Sequence, residues 1–155
     1  MSAFDAAEFD ISDPAAELQP LMAAVQDASS LDERYILFCE VRDRLIDHFE
    51  AIEPTLFAAL RRFPHLSLRL MEADEARDEI RRAFTTLSLL PADSPAWLGL
   101  FTTAGDEACR YFSETEARLV RIADGMLGRG ELRRLGVEAN RIRGVYAADH
   151  QTTGD

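Results

Sequence analysis

Apolar residues recur every three or four positions along most of the chain, which is the period of a helix with one buried face. Cap and turn residues interrupt this pattern four times, so it predicts five helices. No segment alternates between apolar and polar residues in the way that a half-buried strand does. Four long helices joined by short turns predict an all-α fold, an antiparallel four-helix bundle with an additional C-terminal helix.

Local signals place the ends of these helices. Asp13-Pro14 predicts the start of the first, because aspartate caps free amides and proline suits the first turn. Ser30 and Glu33 have the spacing of a capping box and predict the start of the second. Pro54 lies inside the second helix, where it predicts a kink. Ser94-Pro95 predicts the start of the fourth helix, and the first helix should stop near residue 29.

The same signals predict how the chain is organised. Gly128-Arg129-Gly130 predicts the end of the fourth helix, and Arg62-Phe63-Pro64-His65 separates the second from the third. The predicted segments are a flexible stretch over 1–12, a bundle over 13–127, a C-terminal helix over 128–148 and a disordered tail over 149–155.

Each predicted helix has a stripe of residues that should face the core. The stripes comprise Leu18, Leu21, Val25 and Ala28 in the first helix; Phe38, Val41, Leu45, Phe49, Ile52, Leu56 and Leu60 in the second; Leu66, Leu70, Ala73, Arg77, Ile80, Phe84 and Leu87 in the third; Phe101, Gly105, Ala108, Phe112, Leu119, Ala123 and Met126 in the fourth; and Leu132, Leu135, Ala139, Ile142 and Tyr146 in the fifth.

Composition narrows the functional classes. The chain has 155 residues, of which 47% are hydrophobic, enough for one cored domain. The chain has 17 basic residues, all of them arginine, and 28 acidic ones. The absence of lysine is typical of a GC-rich bacterial genome. A net charge of -11 disfavours nucleic acid and membrane surfaces as partners. The sequence has no secretion signal and no apolar run approaching ~20 residues, which predicts a cytoplasmic protein. Cys39 and Cys109 lack metal-binding spacing and are expected to be buried free thiols.

Two segments of the chain echo one another. His48-Phe49 and Tyr111-Phe112 open similar stretches that are offset by 63 residues, which indicates two helical hairpins related by approximate two-fold symmetry. The run from His48 to Leu60, HFEAIEPTLFAAL, resembles the conserved segment of the hemerythrin, or HHE cation-binding, family. Glu79-Ile80-Arg81-Arg82 is also similar to the residues that follow that family's central histidine. The resemblance covers roughly residues 13 to 127.

The resemblance implies a bundle around two iron ions, held by about five histidines and two bridging carboxylates. The positions that match those ligands hold Leu18, His48, Ile52, Ala73, Arg77, Tyr111 and Glu116. Among them, His48 and Glu116 are of a type that binds iron in the expected way. A register shift of one residue would bring Glu53 or Asp74 into play.

The chain has three histidines in all, so a five-histidine site is impossible. We therefore expect no cofactor and no di-iron centre, with His48, Glu53 and Glu116 as vestigial candidates for a metal site. His48 is expected to be buried and hydrogen-bonded to Glu116 or Tyr111. An ion pair between Arg77 and Glu116 is another way to fill the same space.

The acidic side chains of the third helix are interpreted as a solvated face with local ion pairs rather than as a metal site. They are Glu72, Asp74, Glu75, Asp78 and Glu79. No glycine-rich phosphate loop, serine-nucleophile motif or metalloprotease motif occurs, so the chain is not expected to be an enzyme.

Three functional hypotheses follow. The first is a metal-free relative of hemerythrin that acts as a regulator or adaptor through contacts with a protein partner or as a homodimer. The second is a sensor of a metal, oxygen or a small ligand that keeps a reduced site around His48, Glu53 and Glu116. The third is a sigma-factor-binding regulator, because the segment that starts at His48 also looks like the regulator of sigma D family.

Overall fold

The computed structural model describes residues 14–153, and within that range the side chains of residues 14–144. Every regular element in this range is helical, so the predicted all-α class is confirmed. Helix α1 is Pro14–Gln26; α2 is Leu31–Ile52, continued by a π-helical turn at Glu53–Phe57 and by Ala58–Leu60; a 3-10 turn at Pro64–Leu66 precedes α3, Ser67–Leu89; α4 is Trp97–Arg110, a π-helical segment at Tyr111–Glu116 and Ala117–Leu127; and α5 is Arg129–Thr153.

The cap at the start of α2 differs slightly from the predicted capping box. The hydroxyl of Ser30 accepts a hydrogen bond from the amide of Glu33 at 3.1 Å, as predicted. The carboxylate of Glu33 accepts from the amide and the hydroxyl of Ser29, at 2.8 and 2.7 Å, instead of from the amide of Ser30. Both arrangements satisfy amides that the first helical turn leaves free.

Two predicted boundaries shift, and the predicted kink falls in a π-helical turn. Ser94-Pro95 lies in a turn, closed by the bond from the amide of Trp97 to the carbonyl of Ser94, and α4 begins at Trp97 without a side-chain cap. Helix α5 begins at Arg129, directly after Gly128, whose φ of 81° requires glycine. Pro54, predicted to kink α2, falls within its π-helical turn, where the wider hydrogen-bond ring accommodates a residue that has no amide hydrogen.

The predicted stripes of α2 and α3 form the core. All seven stripe residues in each of these helices, counting Leu66 of the preceding 3-10 turn, are buried. Burying each large apolar side chain contributes about 1.5 to 3 kcal/mol. Cys39 and Cys109 were expected to be buried, but they are half-buried free thiols. In the remaining stripes, some residues that were predicted to be buried are only half-buried. The stripe residues that are half-buried are Leu21, Ala28, Met126, Leu135 and Ile142, while the side chain of Tyr146 lies outside the described residues.

Ring contacts fix the direction of the central helices. Along α2, Phe38 stacks on Phe84, Phe49 contacts Arg81 and Phe57 contacts Arg77, so α3 runs antiparallel to α2.

Helices α2 and α4 run in the same direction. Phe38 meets Phe101 and Phe49 meets Phe112, each with ring centroids 6.0 Å apart. Both pairs are separated by the 63-residue offset of the sequence echo, so equivalent residues of the two halves touch at the centre of the molecule.

Helix α1 lies against α2 and α4. The contact with α4 is close at Gly105, where a Cβ atom would lie 2.6 Å from the sulfur of Met22. Glu17 joins three helices, because its carboxylate binds Arg44 of α2 at 2.8 Å and Arg143 of α5 at 3.1 Å. These contacts hold the N-terminal helix in place.

Helix α5 packs on the same chain, against α2 and α4. Leu132, Gly136 and Ala139 are buried there. The helix extends to Thr153, past the predicted end at residue 148 and into the segment predicted to be a disordered tail. Residues 154–155 of that tail lie outside the described residues, and so does the predicted flexible segment 1–12. Among the described helices, none combines the length and apolar character needed to cross a bilayer.

Candidate functional site

The seven positions that the sequence resemblance pairs with iron ligands all face the interior. None of these residues has more than 5% of its surface exposed. They are Leu18, His48, Ile52, Ala73, Arg77, Tyr111 and Glu116. Three of the seven are apolar side chains that have no donor atom for a metal.

His48 lies against Glu116, one of the two partners that the sequence suggested. The Nε2 atom of His48 is 2.5 Å from Oε1 of Glu116, and both side chains are buried. The imidazole meets the ring of Phe112 edge-on, with centroids 5.2 Å apart. This short bond joins α2 to α4 inside the core, where a hydrogen bond is electrostatically stronger than in water.

Two atoms of this pair lack a protein partner. Nδ1 of His48 and Oε2 of Glu116 are buried, and neither has a hydrogen-bond partner within the described part of the chain. An unpaired buried polar atom costs about 1 to 3 kcal/mol. The pair is therefore a place in the interior where two polar atoms could make a further hydrogen bond or bind a ligand.

Arg77 is the second polar centre, and it is almost fully buried, with 1% of its surface exposed. Its Nε donates to Oε1 of Glu53 at 3.0 Å and its Nη1 donates to the hydroxyl of Tyr111 at 3.0 Å. Its Nη2 donates to Asp74, and the guanidinium lies 3.8 Å from the ring centroid of Phe57. The predicted ion pair with Glu116 is wrong, because the guanidinium is directed to other partners.

The partners of Arg77 are shared with arginines nearer the surface. Oε1 of Glu53 also accepts from Arg81 at 2.8 Å, and Asp74 accepts from Arg61 at 3.2 Å. This network crosslinks α2, α3 and α4. It also makes Asp74 an exception to the predicted solvated face, whose other four acidic side chains are exposed as expected.

The two polar centres are related by the sequence echo. His48 corresponds to Tyr111 and Glu53 corresponds to Glu116, both at the 63-residue offset. His48 and Glu116 bind each other directly. The equivalent pair, Tyr111 and Glu53, is bridged by Arg77, which donates to both. One half of the centre is therefore a direct contact, and the other half contains an inserted cation.

The phenol of Tyr111 stays neutral. Burial raises the pKa of Tyr111 well above its ordinary value, and the nearby carboxylate of Glu116 raises it further, against the opposing effect of Arg77. A neutral hydroxyl accepts from Arg77 and adds no negative charge to the centre.

This set of side chains does not fit a pair of iron ions. Of the seven positions, one imidazole and one carboxylate are of the expected ligand type, and they are bound to each other. Arg77 binds the hydroxyl of Tyr111, another of the seven, and so places a fixed positive charge there. In the described part of the chain, no three histidine, cysteine or carboxylate side chains converge in a way that could hold a metal ion. The third candidate, Glu53, is half-buried and bound to two arginines.

Sequence reasoning missed two parts of this centre. It did not anticipate that Glu53 would bind Arg77 and Arg81, or that Phe57 would support the guanidinium. The available signal was Arg77 itself, a charged residue in an otherwise apolar stripe, which requires carboxylates at its level on a neighbouring helix.

Comparisons with known proteins add no further information on this centre. No known protein family, curated protein sequence or solved structure gives a significant match to the chain.

Proposed function

We propose that this chain is a four-helix bundle of the hemerythrin type that holds no di-iron centre and acts through protein contacts, as a regulator or adaptor without catalytic activity. The observation that carries the proposal is the buried Arg77, which lies where the resemblance expects a ligand and binds Glu53, Asp74 and Tyr111. The equal offsets of the ring contacts between α2 and α4 support the bundle arrangement.

Arg77 supplies the positive charge that carboxylates at the centre need. Two unit charges of like sign about 5 Å apart repel by about 3 kcal/mol at an effective dielectric constant of about 20, and the repulsion doubles for a divalent ion. A metal ion beside the guanidinium would therefore bind weakly. The fold needs no metal ion for stability in this proposal, because the guanidinium of Arg77 balances the charge of the carboxylates.

A reconstruction experiment tests this proposal. The variant Leu18→His, Ile52→Glu, Ala73→His, Arg77→His and Tyr111→His restores the ligand types that the resemblance implies, alongside the native His48 and Glu116. We expect this variant, and not the native chain, to acquire the visible absorption of an oxo-bridged iron pair. The same variant with Glu116→Gln added is the matched control and should lose that absorption. A folded, helical five-site variant that takes up no iron would contradict the hemerythrin-type arrangement.

A second function is favoured by a separate observation, the two unpaired atoms of the buried pair, Nδ1 of His48 and Oε2 of Glu116. A sensor with a reduced site would use them to bind one small ligand or metal ion. A ligand that binds the folded state alone raises its stability in proportion to the logarithm of the ligand concentration. Iron, manganese or zinc should then raise the melting temperature of the native chain but not that of His48→Gln. Equal melting curves with and without each metal eliminate the reduced metal site.

A further inference from the structure

Six exposed apolar side chains lie at one end of the molecule, which we call the apolar end. Ile36 is 67% exposed and Leu89 is 80% exposed, although both are large and apolar. The apolar end consists of Leu31, Tyr35, Ile36, Leu89, Leu90 and Leu100.

Core contacts place these residues together. The ring of Tyr35 lies 6.4 Å from the ring of Phe38, and Phe38 contacts Phe84 and Trp97. The indole of Trp97 donates to the carbonyl of Leu87 at 3.0 Å. The start of α2, the end of α3 and the start of α4 therefore converge at this end, above a densely packed aromatic core.

The concentration of apolar surface is specific to this end. Nine large apolar side chains are exposed among those described, and six of them belong to the apolar end. The other three are Leu68, Met71 and Val137. Apolar residues exposed together on a rigid support mark surfaces that bind another molecule.

The charges around the apolar end select the occupant. Within four residues of its members along the chain lie five acidic side chains and the half-buried Arg34. Arg42 also reaches this end, since it donates to Ser88 at 3.2 Å and lies over the ring of Phe38. Acidic side chains therefore outnumber basic ones here by five to two. The acidic ones are Asp27, Asp32, Glu33, Glu40 and Asp93. A negative rim repels anionic lipid headgroups, and it repels the same rim on a second copy of this chain. It attracts a partner with basic flanks.

We propose that the apolar end binds a positively charged amphipathic helix of a partner protein, with leucine-like side chains on the apolar residues and basic side chains against the acidic rim. The inference rests on the proposed function, since it identifies the contact surface of the adaptor. Helices that present apolar residues three and four positions apart are a recurrent partner for such surfaces.

The test is a titration of isotope-labelled protein, followed by NMR, with a synthetic helical peptide that has leucines at that spacing and lysines on both flanks. A matched peptide carries glutamates in place of the lysines. We expect the basic peptide to bind saturably, to weaken as salt rises, and to shift resonances of residues 31–36 and 89–100. The acidic peptide should bind at least about tenfold more weakly, a difference of 1.4 kcal/mol.

Two double variants give the control. Ile36→Glu with Leu89→Glu should lose binding by at least about tenfold, whereas Leu68→Glu with Met71→Glu, at exposed sites elsewhere, should keep it. Both variants alter exposed residues, and unchanged thermal melting verifies that they fold. Absence of saturable binding, equal loss in both variants, dimerisation through the apolar end, or binding to anionic vesicles would each overturn the proposal. Metal analysis of the same preparations tests the proposed function separately. Protein that contains no metal and fails to bind the peptide would overturn the proposed binding surface and leave the metal-free centre standing.

Discussion

At the scale of single residues, the centre of the molecule is built from two buried polar groups whose partners determine what each substitution does. The sequence predicted most of the positions that lie inside, and it offered Glu116 and Tyr111 as alternative partners of His48, of which Glu116 is the one observed. It did not predict the partners of Arg77, because the level at which residues of neighbouring helices meet depends on packing and cannot be read from one helix. The contact between His48 and Glu116 was accessible because the sequence echo related their two segments.

Replacing His48 by leucine tests the buried pair. This change would remove the imidazole that contacts the buried carboxylate of Glu116. We expect His48→Leu to lower the free energy of unfolding by about 3 kcal/mol, and the double variant with Glu116→Met to recover most of that loss. Urea unfolding measures both. A single variant as stable as the native chain would contradict this description of the pair.

Replacing Arg77 tests the inserted cation. Arg77→Leu removes three hydrogen bonds. The half-buried Glu53 keeps its hydrogen bond to Arg81. We expect a loss of about 2 to 4 kcal/mol, within the range for breaking a buried charge pair. Arg61→Leu, which removes an exposed pair with Asp74, is the control and should cost less than about 1 kcal/mol. Similar losses of unfolding free energy in the two variants would show that the buried Arg77 contributes no more to stability than an exposed arginine.

Alkaline pH tests the environment of Tyr111. Its folded pKa is raised by burial first and by Glu116 second, so the neutral phenol stabilises the folded state at pH values below the unfolded pKa of about 10. That stability is lost as pH rises above 10 towards the folded pKa. We expect the stability of Tyr111→Phe to fall less steeply than that of the native chain above pH 10, with Tyr35→Phe as the exposed control. Parallel alkaline profiles for the native chain and Tyr111→Phe would contradict the assignment.

At the scale of helices, apolar periodicity identified all five elements because burial on one face repeats with the helical turn. The boundaries were less predictable. Ser94-Pro95 has the residues of a cap, but it forms a separate turn before Trp97. Pro54 signalled an irregularity without specifying a π-helical turn, and nothing in the residues 111–116 signalled the second one. Such turns depend on how α2 and α4 pack, which lies beyond local sequence.

The contact between α1 and α4 gives a prediction at this scale. A side chain at Gly105 would meet Met22, whereas Gly99 in the same helix has open space around it. We expect Gly105→Leu to lower the free energy of unfolding by about 1 to 3 kcal/mol through overpacking. Gly99→Leu should change it little, and Met22→Ala should restore part of the loss at Gly105. Thermal unfolding of the three variants measures this, and equal behaviour at both glycines would show that α1 does not pack closely there.

At the scale of the whole molecule, five helices surround one core, with the polar centre inside and the apolar end at one extremity. The sequence predicted the helical class, and its 63-residue echo indicated two related helical hairpins; the ring contacts between α2 and α4 have the same offset. It left open whether the last helix packs on this chain or on a partner. The buried Leu132 and Ala139 show that it packs on this chain. The exposed apolar side chains could not be foreseen, because a stripe pattern does not reveal which helix ends remain uncovered.

The central claim of the proposed function is that a buried guanidinium lies where the resemblance implies a metal ligand, so that the chain holds no di-iron centre. Elemental analysis of native protein, produced with iron in excess and purified without chelators, tests it most directly. The account predicts less than about a tenth of an equivalent of iron, manganese or zinc, since one imidazole and one carboxylate beside a fixed cation hold a metal weakly. A stoichiometric metal content that disappears in His48→Gln would contradict it.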